Sequence, residues 1–155
     1  MRTPVSGVDF VAYDKRDQPV LLALASGSRD TSEVWAAQYR RNLLSHRSLP
    51  DAPFFLIATP ERMYFWRQGA SIPDDAPPQF TLDSSAAVKP FFESYEQSPD
   101  KISGEGLWWI MLSWLEDLAD RGQQRAREDS SLDWLSRSGL LEALRNARIE
   151  SSAMQ

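Results

Sequence analysis

Side chains that commonly act as nucleophiles or metal ligands are scarce in this sequence of 155 residues. It has no Cys, which excludes disulfides, thiolate nucleophiles and Cys-based zinc or iron-sulfur centres. A serine hydrolase triad would have to use the single histidine, His46, but no Gly-x-Ser-x-Gly sequence marks a nucleophile. No phosphate-binding glycine motif occurs either. Because His46 follows an apolar helical pattern, it is interpreted as a residue at a helix end.

The composition is that of a single globular domain, with 42% hydrophobic and 25% charged residues. The first residues do not predict a secretory signal, and the longest apolar run, Leu107–Leu112, is too short to cross a bilayer. We therefore predict one domain spanning residues 1–155, located in the cytoplasm and not associated with a membrane.

The net charge of −5 is unevenly distributed. Residues 1–70 contain nine Lys or Arg and seven Asp or Glu, whereas residues 71–155 contain eight and fifteen. An acidic C-terminal half disfavours broad binding of polyanions, because affinity for phosphates comes largely from Lys and Arg.

Two stretches near the N-terminus predict a β-hairpin. Val8–Tyr13 is rich in β-branched and aromatic residues, and the polar run Asp14–Gln18 separates it from the apolar Val20–Ala25. Because Val20–Ala25 shows no alternation of polar and apolar residues, we expect this second strand to be covered on both faces of the sheet.

A helix and a second hairpin follow. Asp30, Thr31 or Ser32 can cap a helix that runs to about Leu44, and its Trp35, Tyr39 and Leu43 share one face. Phe54–Ala58 and Met63–Trp66 then predict two further strands. The first 67 residues are thus expected to form a β-β-α-β-β unit.

The rest of the chain is predicted to be a loop and a helical cap. Residues 68–83 contain Pro and Asp and are interpreted as a surface loop, and residues 84–150 as helices. Predicted helices are Ser84–Tyr95, which is either broken by Pro90 or begins near it, Ser103–Asp120, and one or two within Ser130–Ala147. Arg121–Asp129 is expected to connect two of them, and Glu150–Gln155 to be frayed.

Residues 7–67 resemble the PD-(D/E)XK nuclease-like superfamily, in particular the N-terminal nuclease domains of type I restriction enzyme subunits. Asp9 is similar to the metal-binding Asp at the head of that family's hairpin. The segments that carry the rest of the resemblance are Pro19–Ala25, Ala37–Leu43 and Pro53–Trp66. The resemblance implies an α/β fold with a small mixed sheet of the restriction-endonuclease-like type, here followed by a helical C-terminal cap.

The sequence departs from this family at the catalytic positions. Such nucleases need a Glu or Asp on the second strand to hold Mg²⁺, because hard divalent cations require oxygen ligands. They also need a Lys two residues later, which orients or deprotonates the attacking water. Ala23 and Ala25 occupy these positions. Asp9 remains, with Gln38 as an accessory, and Glu33 is the candidate for a relocated acid.

Trp109 is the residue outside this motif that most suggests an interaction. On the predicted helix it shares a face with Glu105, Ser113 and Glu116, and lies off the Leu107, Met111 and Leu118 stripe. An exposed Trp is uncommon and is favoured at interaction hot spots, although Trp134 or the last helices are alternative covers for it. Arg40, Arg41 and Arg47 form a basic cluster that could meet phosphate or an acidic partner.

Three functions are compatible with these features. The first is a catalytically inactive PD-(D/E)XK-like domain, without a cofactor, that binds another protein or itself through its aromatic-rich cap. The second is a divergent Mg²⁺-dependent nuclease that uses Asp9, Glu33 and Gln38. The third is a protein that binds nucleic acid without cutting it. Its contacts would be Arg29, Arg40, Arg41 and Arg47.

Overall fold

A computed structural model describes residues 7–46, 49–67, 72–98 and 100–151. These residues form an α/β fold around one six-stranded mixed sheet with the strand order β5-β4-β3-β2-β1-β6. The elements are β1 (Phe10–Tyr13), β2 (Pro19–Ala25), α1 (Glu33–His46), β3 (Phe54–Ala58), β4 (Arg62–Arg67), β5 (Phe80–Asp83), α2 (Ser84–Ala87), α3 (Lys89–Ser94), α4 (Gly104–Glu128), a 3₁₀ turn (Ser130–Leu132), α5 (Asp133–Ser138), α6 (Leu140–Leu144) and β6 (Arg148–Ser151).

The predicted β-β-α-β-β unit is confirmed. β1 and β2 form an antiparallel hairpin, α1 connects β2 to the parallel strand β3, and β4 returns antiparallel to β3. At the tip of the first hairpin, Asp14 Oδ1 accepts hydrogen bonds from the backbone N–H groups of Arg16 and Gln18. This Asx-type turn replaces backbone pairing where the chain reverses.

Strand β2 is buried on both faces, as its continuous apolar sequence predicts. Leu21 and Ala23 belong to one core, which lies beneath helices α2 to α6 and is called the cap core here. Leu22 and Leu24 belong to a second core, called the α1 core, which lies beneath α1. All four side chains are almost completely buried.

Helix α1 closes the α1 core together with the loop of residues 72–79. The Ser32 hydroxyl accepts a hydrogen bond from the Trp35 N–H at 3.1 Å, which identifies Ser32 as the N-cap among the three predicted candidates. Trp35 and Tyr39 pack on this core as expected. The loop is held down by Trp66, whose Nε1–H donates to the Ala76 carbonyl at 2.9 Å.

Two short strands occur where the sequence predicted none. Phe80–Asp83, within the predicted loop, pairs antiparallel with β4, and Arg148–Ser151, which overlaps the predicted frayed tail, pairs antiparallel with β1. Both are four-residue strands at the edges of the sheet. Their partners are distant in sequence, so local patterns carry little signal for them.

The predicted boundaries of the helices also need correction. Arg121–Asp129 is not a connector, because α4 continues to Glu128 through a kink at Arg121 (φ −132°, ψ 21°). At this kink the Asn146 N–H donates to the Ala119 carbonyl at 2.9 Å. Asp117 accepts from both Arg121 and Arg125, and these pairs tie the two halves of α4 together. The segment Ser84–Tyr95 is divided into α2 and α3, with Pro90 in the first turn of α3, which agrees with the break or helix start predicted near Pro90.

Gly139 joins α5 to α6 in a left-handed conformation, with φ +88°. A residue with a Cβ atom is destabilised by about 1–2 kcal/mol in the left-handed conformation. We therefore expect Gly139→Ala to lower the free energy of unfolding by about that amount. Gly104→Ala is the matched control, since a Cβ there would meet only ordinary contacts with Gly27 at 3.5 and 3.7 Å. Urea denaturation of both variants measures the difference, and equal effects would contradict the expectation.

Candidate functional site

Asp9 lies directly beside Ala23 and Ala25, the two residues that the sequence resemblance assigns to the positions of a second acid and a Lys. The Asp9 N–H donates to the Ala23 carbonyl at 3.0 Å, and Asp9 Oδ2 accepts from the Ala25 N–H at 2.8 Å. The hairpin therefore brings Asp9, Ala23 and Ala25 together. The two alanine side chains offer neither an oxygen ligand nor a proton carrier.

The side chains of Ala23 and Ala25 face apolar surroundings. Ala23 is fully buried in the cap core, and Ala25 packs against the same core. The loop after β2 packs closely against the start of α4. A Cβ atom added to Gly27 would lie only 3.2 Å from Gly104 Cα, so the two backbones approach each other at these glycines. Arg29 Nη2 also donates to the Ile102 carbonyl at 3.0 Å. The helical cap thus covers the end of β2.

The carboxyl group of Asp9 is half-buried. Burial raises its pKa above the ordinary Asp value, while the hydrogen bond from Ala25 acts in the opposite direction. The pKa of Tyr39 on α1 is also raised, first by its own burial and then by the negative charge of Asp9. The Asp9 carboxyl is therefore partly shielded from water. It lies near the Tyr39 phenol and is hydrogen-bonded to the Ala25 backbone N–H.

Glu33 and Gln38 do not complete a site with Asp9. Glu33 Oε2 accepts from Thr81 Oγ1 on β5 at 2.5 Å, whereas Asp9 is bonded to β2. In this sheet β2 and β5 are three strand spacings apart, or about 14 Å, which is too far for two carboxylates to share one cation. Gln38 is exposed on α1. Within the described ranges, no three acidic or His side chains are grouped so that they could hold a metal ion.

The predicted basic cluster is wrong for Arg40, which is only 2% exposed. Its Nη1 donates to the carbonyls of Pro73 and Asp74 at 3.1 and 3.0 Å, and its guanidinium lies 5.8 Å and 5.6 Å from the ring centres of Phe55 and Trp66. Burial lowers the pKa of Arg40, and the negative charge of Asp74 opposes this shift.

The sequence could not show this burial, because it depends on a loop more than thirty residues away. Ala36, one helical turn before Arg40, is fully buried on the same face of α1. Arg41 is exposed as predicted, and Arg47 lies outside the described residues.

Trp109 lies on the outer face of α4 and is 45% exposed. Its ring packs edge-on against Trp108, with centroids 4.9 Å apart, and Trp108 in turn packs on Phe10 of β1. Trp134 does not cover it, because Trp134 is buried against Phe65 in the cap core. Of the two alternatives for Trp109, exposure and burial under the rest of the cap, the structure shows exposure.

Tyr95 accompanies Trp109, although the sequence did not single it out. Tyr95 is also 45% exposed, and its hydroxyl lies 2.7 Å from Ser113 Oγ. Because Ser113 donates its own proton to the Trp109 carbonyl, Tyr95 donates to Ser113. Tyr95, Glu105, Trp109, Ser113 and Glu116 are together called the Trp109 surface below.

Similarity to known proteins does not identify this site. Comparisons with protein-family models, with curated proteins and with solved structures found no match. In the part of the chain that the structure describes, no helix combines the length and apolar character needed to cross a membrane.

Arg40→Ala should destabilise the fold strongly. The substitution opens a cavity beneath α1 and removes the donor from two carbonyls, so we expect a loss of about 2–4 kcal/mol in the free energy of unfolding. The neighbouring Arg41→Ala is the control and should change it by less than about 0.5 kcal/mol. Chemical denaturation checks both, and a small effect of Arg40→Ala would show that the guanidinium does not hold the 72–79 loop.

Asp9→Asn should make the domain more stable at neutral pH. Because the pKa of Asp9 is raised on folding, the folded state favours the protonated form, and stability is lost as pH rises from the unfolded pKa through the folded pKa. Asn keeps an acceptor for the Ala25 N–H but cannot ionise. Its advantage should therefore be larger at about pH 7 than at about pH 4.

Asp9→Ala separates the charge of Asp9 from its hydrogen bond. Without the acceptor for the Ala25 N–H, we expect this variant to be about 1–2 kcal/mol less stable than Asp9→Asn. Urea denaturation at the two pH values gives both differences. A wild type more stable than Asp9→Asn at neutral pH would contradict the raised pKa.

Proposed function

We propose that this chain is a non-catalytic domain of the PD-(D/E)XK nuclease-like type that binds a protein through the Trp109 surface. Two features support the family assignment: the β-β-α-β-β order of the sheet, and the position of Asp9 at the head of the hairpin beside Ala23 and Ala25. The resemblance of the sequence segments within residues 7–67 to this family also supports the assignment.

One observation carries the non-catalytic part of the proposal. Methyl groups stand where metal-dependent cleavage needs a carboxylate and an amine, and Ala23 is fully buried in the cap core. Glu33, the acid considered as a replacement, is bonded to β5. Asp9 by itself supplies one carboxylate, which is a weak ligand set for Mg²⁺.

The binding part of the proposal rests on the exposed aromatic side chains of the cap. Trp and Tyr are enriched among the residues that dominate protein interfaces, since they bury large areas with few rotatable bonds. Trp109 is fixed from below by Trp108, and Tyr95 is fixed by its hydrogen bond to Ser113. Both are therefore positioned for contact before a partner arrives.

The alternative function as a nucleic-acid-binding protein is less well supported. Of the arginines considered for it, Arg40 is buried against backbone carbonyls and Arg29 donates to the Ile102 carbonyl. Arg29 and Arg41 are exposed, and Arg47 lies outside the described residues. The acidic charge of residues 71–155 also opposes phosphate binding on the cap.

Thermal unfolding with divalent metal tests the non-catalytic proposal without a substrate. At Mg²⁺ or Mn²⁺ about ten times above a millimolar dissociation constant, one occupied site should stabilise the protein by about 1.4 kcal/mol. That corresponds to a rise in melting temperature of about 3–6 °C for a domain of this size. We expect no such rise for the wild type, and Asp9→Asn serves as the matched control. A rise that this variant abolishes would contradict the proposal.

A further inference from the structure

We infer that the partner of the Trp109 surface is a basic protein segment rich in Lys and Arg. This inference rests on the proposed function, since it names the chemistry of the partner that the same surface would bind. It goes beyond that function because an exposed aromatic pair alone does not distinguish a basic partner from an apolar or acidic one.

The aromatic pair is surrounded by acidic side chains. On α4, Glu105 precedes Trp109 by one turn and Glu116 follows it by two, and both are exposed. Glu93 and Glu96 flank Tyr95 at the end of α3 and are exposed as well. Residues 91–120 contain seven Asp or Glu and a single Lys, Lys101, in the sequence. One of these acids, Asp117, is paired with Arg121 and Arg125, which leaves six acidic side chains against Lys101. The potential around the aromatic rings is therefore negative.

A Lys- or Arg-rich segment fits both components of this surface. Cationic side chains are attracted to the faces of Trp and Tyr rings, and the surrounding carboxylates can pair with further Lys or Arg side chains.

A second copy of this chain fits the surface less well. In a two-fold contact centred on Trp109, the same patch of each copy would face the other. Glu105 and Glu116 of both copies would then be brought together, and like charges across an interface are unfavourable. An acidic protein or a nucleic acid would meet the same repulsion.

Selection from a library of displayed random 12-residue peptides, with the intact protein as target, tests the inference. We expect the enriched peptides to carry net positive charge. Their dissociation constants, measured by calorimetry with synthetic copies, should rise at least about tenfold in Trp109→Ala. The double variant Glu105→Gln/Glu116→Gln should weaken binding about fivefold in low salt, and high salt should reduce this difference.

A control variant with the same change in net charge is available on the other side of the sheet. Asp51→Asn/Asp75→Asn neutralises two exposed acids near the α1 core, and it should leave peptide affinity unchanged. Urea denaturation of Trp109→Ala verifies that it folds. The milder Trp109→Leu, which keeps apolar volume but no aromatic ring, should also weaken the binding of basic peptides.

The possible results separate this inference from the proposed function. Peptides that require Trp109 but are neutral or acidic, and that ignore Glu105→Gln/Glu116→Gln, would overturn the inference alone. A wild type that dimerises in sedimentation experiments, with monomeric Trp109→Ala, would make a second copy the partner and would also overturn it. If no peptide binding depends on Trp109 and the wild type is monomeric, both the inference and the proposed docking surface are wrong.

Discussion

The parallel pairing of β2 with β3 in the middle of the sheet is the constraint on which the rest of the structure depends. Both strands are buried on both faces, so each face needs its own cover. Helix α1 and the loop of residues 72–79 cover one face, and α4 with the shorter helices covers the other. A charged side chain on β2 would have to be buried beneath one of these covers, at a cost of several kcal/mol unless it were paired.

The two covers meet this demand by different means. The cap core is almost wholly apolar, and rings such as Phe65, Trp114 and Trp134 pack against one another. The α1 core instead contains a buried cation, Arg40. Its guanidinium donates hydrogen bonds to the carbonyls of Pro73 and Asp74. The Pro-rich loop therefore acts as part of the core, and the side chains of Arg40 on α1 and Trp66 on β4 hold it there.

The sequence predicted those elements whose patterns are strong over several turns or residues. The apolar run Val20–Ala25 marked a strand covered on both faces, and helical spacing correctly separated Trp109 from the buried stripe of α4. The edge strands β5 and β6 were missed because their four residues are only partly buried and pair with distant segments. The continuation of α4 was missed because Arg121–Glu128 is highly charged, a composition typical of connectors.

For the candidate site, the sequence indicated residues that local patterns can place, but not those whose positions depend on distant segments. The resemblance singled out Asp9, Ala23 and Ala25, and hydrogen bonds in the structure join Asp9 to the other two. The position of Glu33 was not accessible from the sequence, since it depends on the unpredicted strand β5. Burial of Arg40 likewise depends on where the chain returns after β4. Local patterns could not distinguish this buried arginine from its exposed neighbour, Arg41.

Helix α4 links the two parts of the proposed function. Its start lies on the loop after β2, and its side chains Leu107 and Met111 fill the cap core to which Ala23 belongs. Because helix geometry turns successive residues by about 100°, the residues that cover β2 also determine where Trp109 points. A carboxylate at position 23 would need space and water that α4 now excludes. The same packing that removes room for a catalytic acid leaves Trp109 on the outer face of α4, where the proposed partner would contact it.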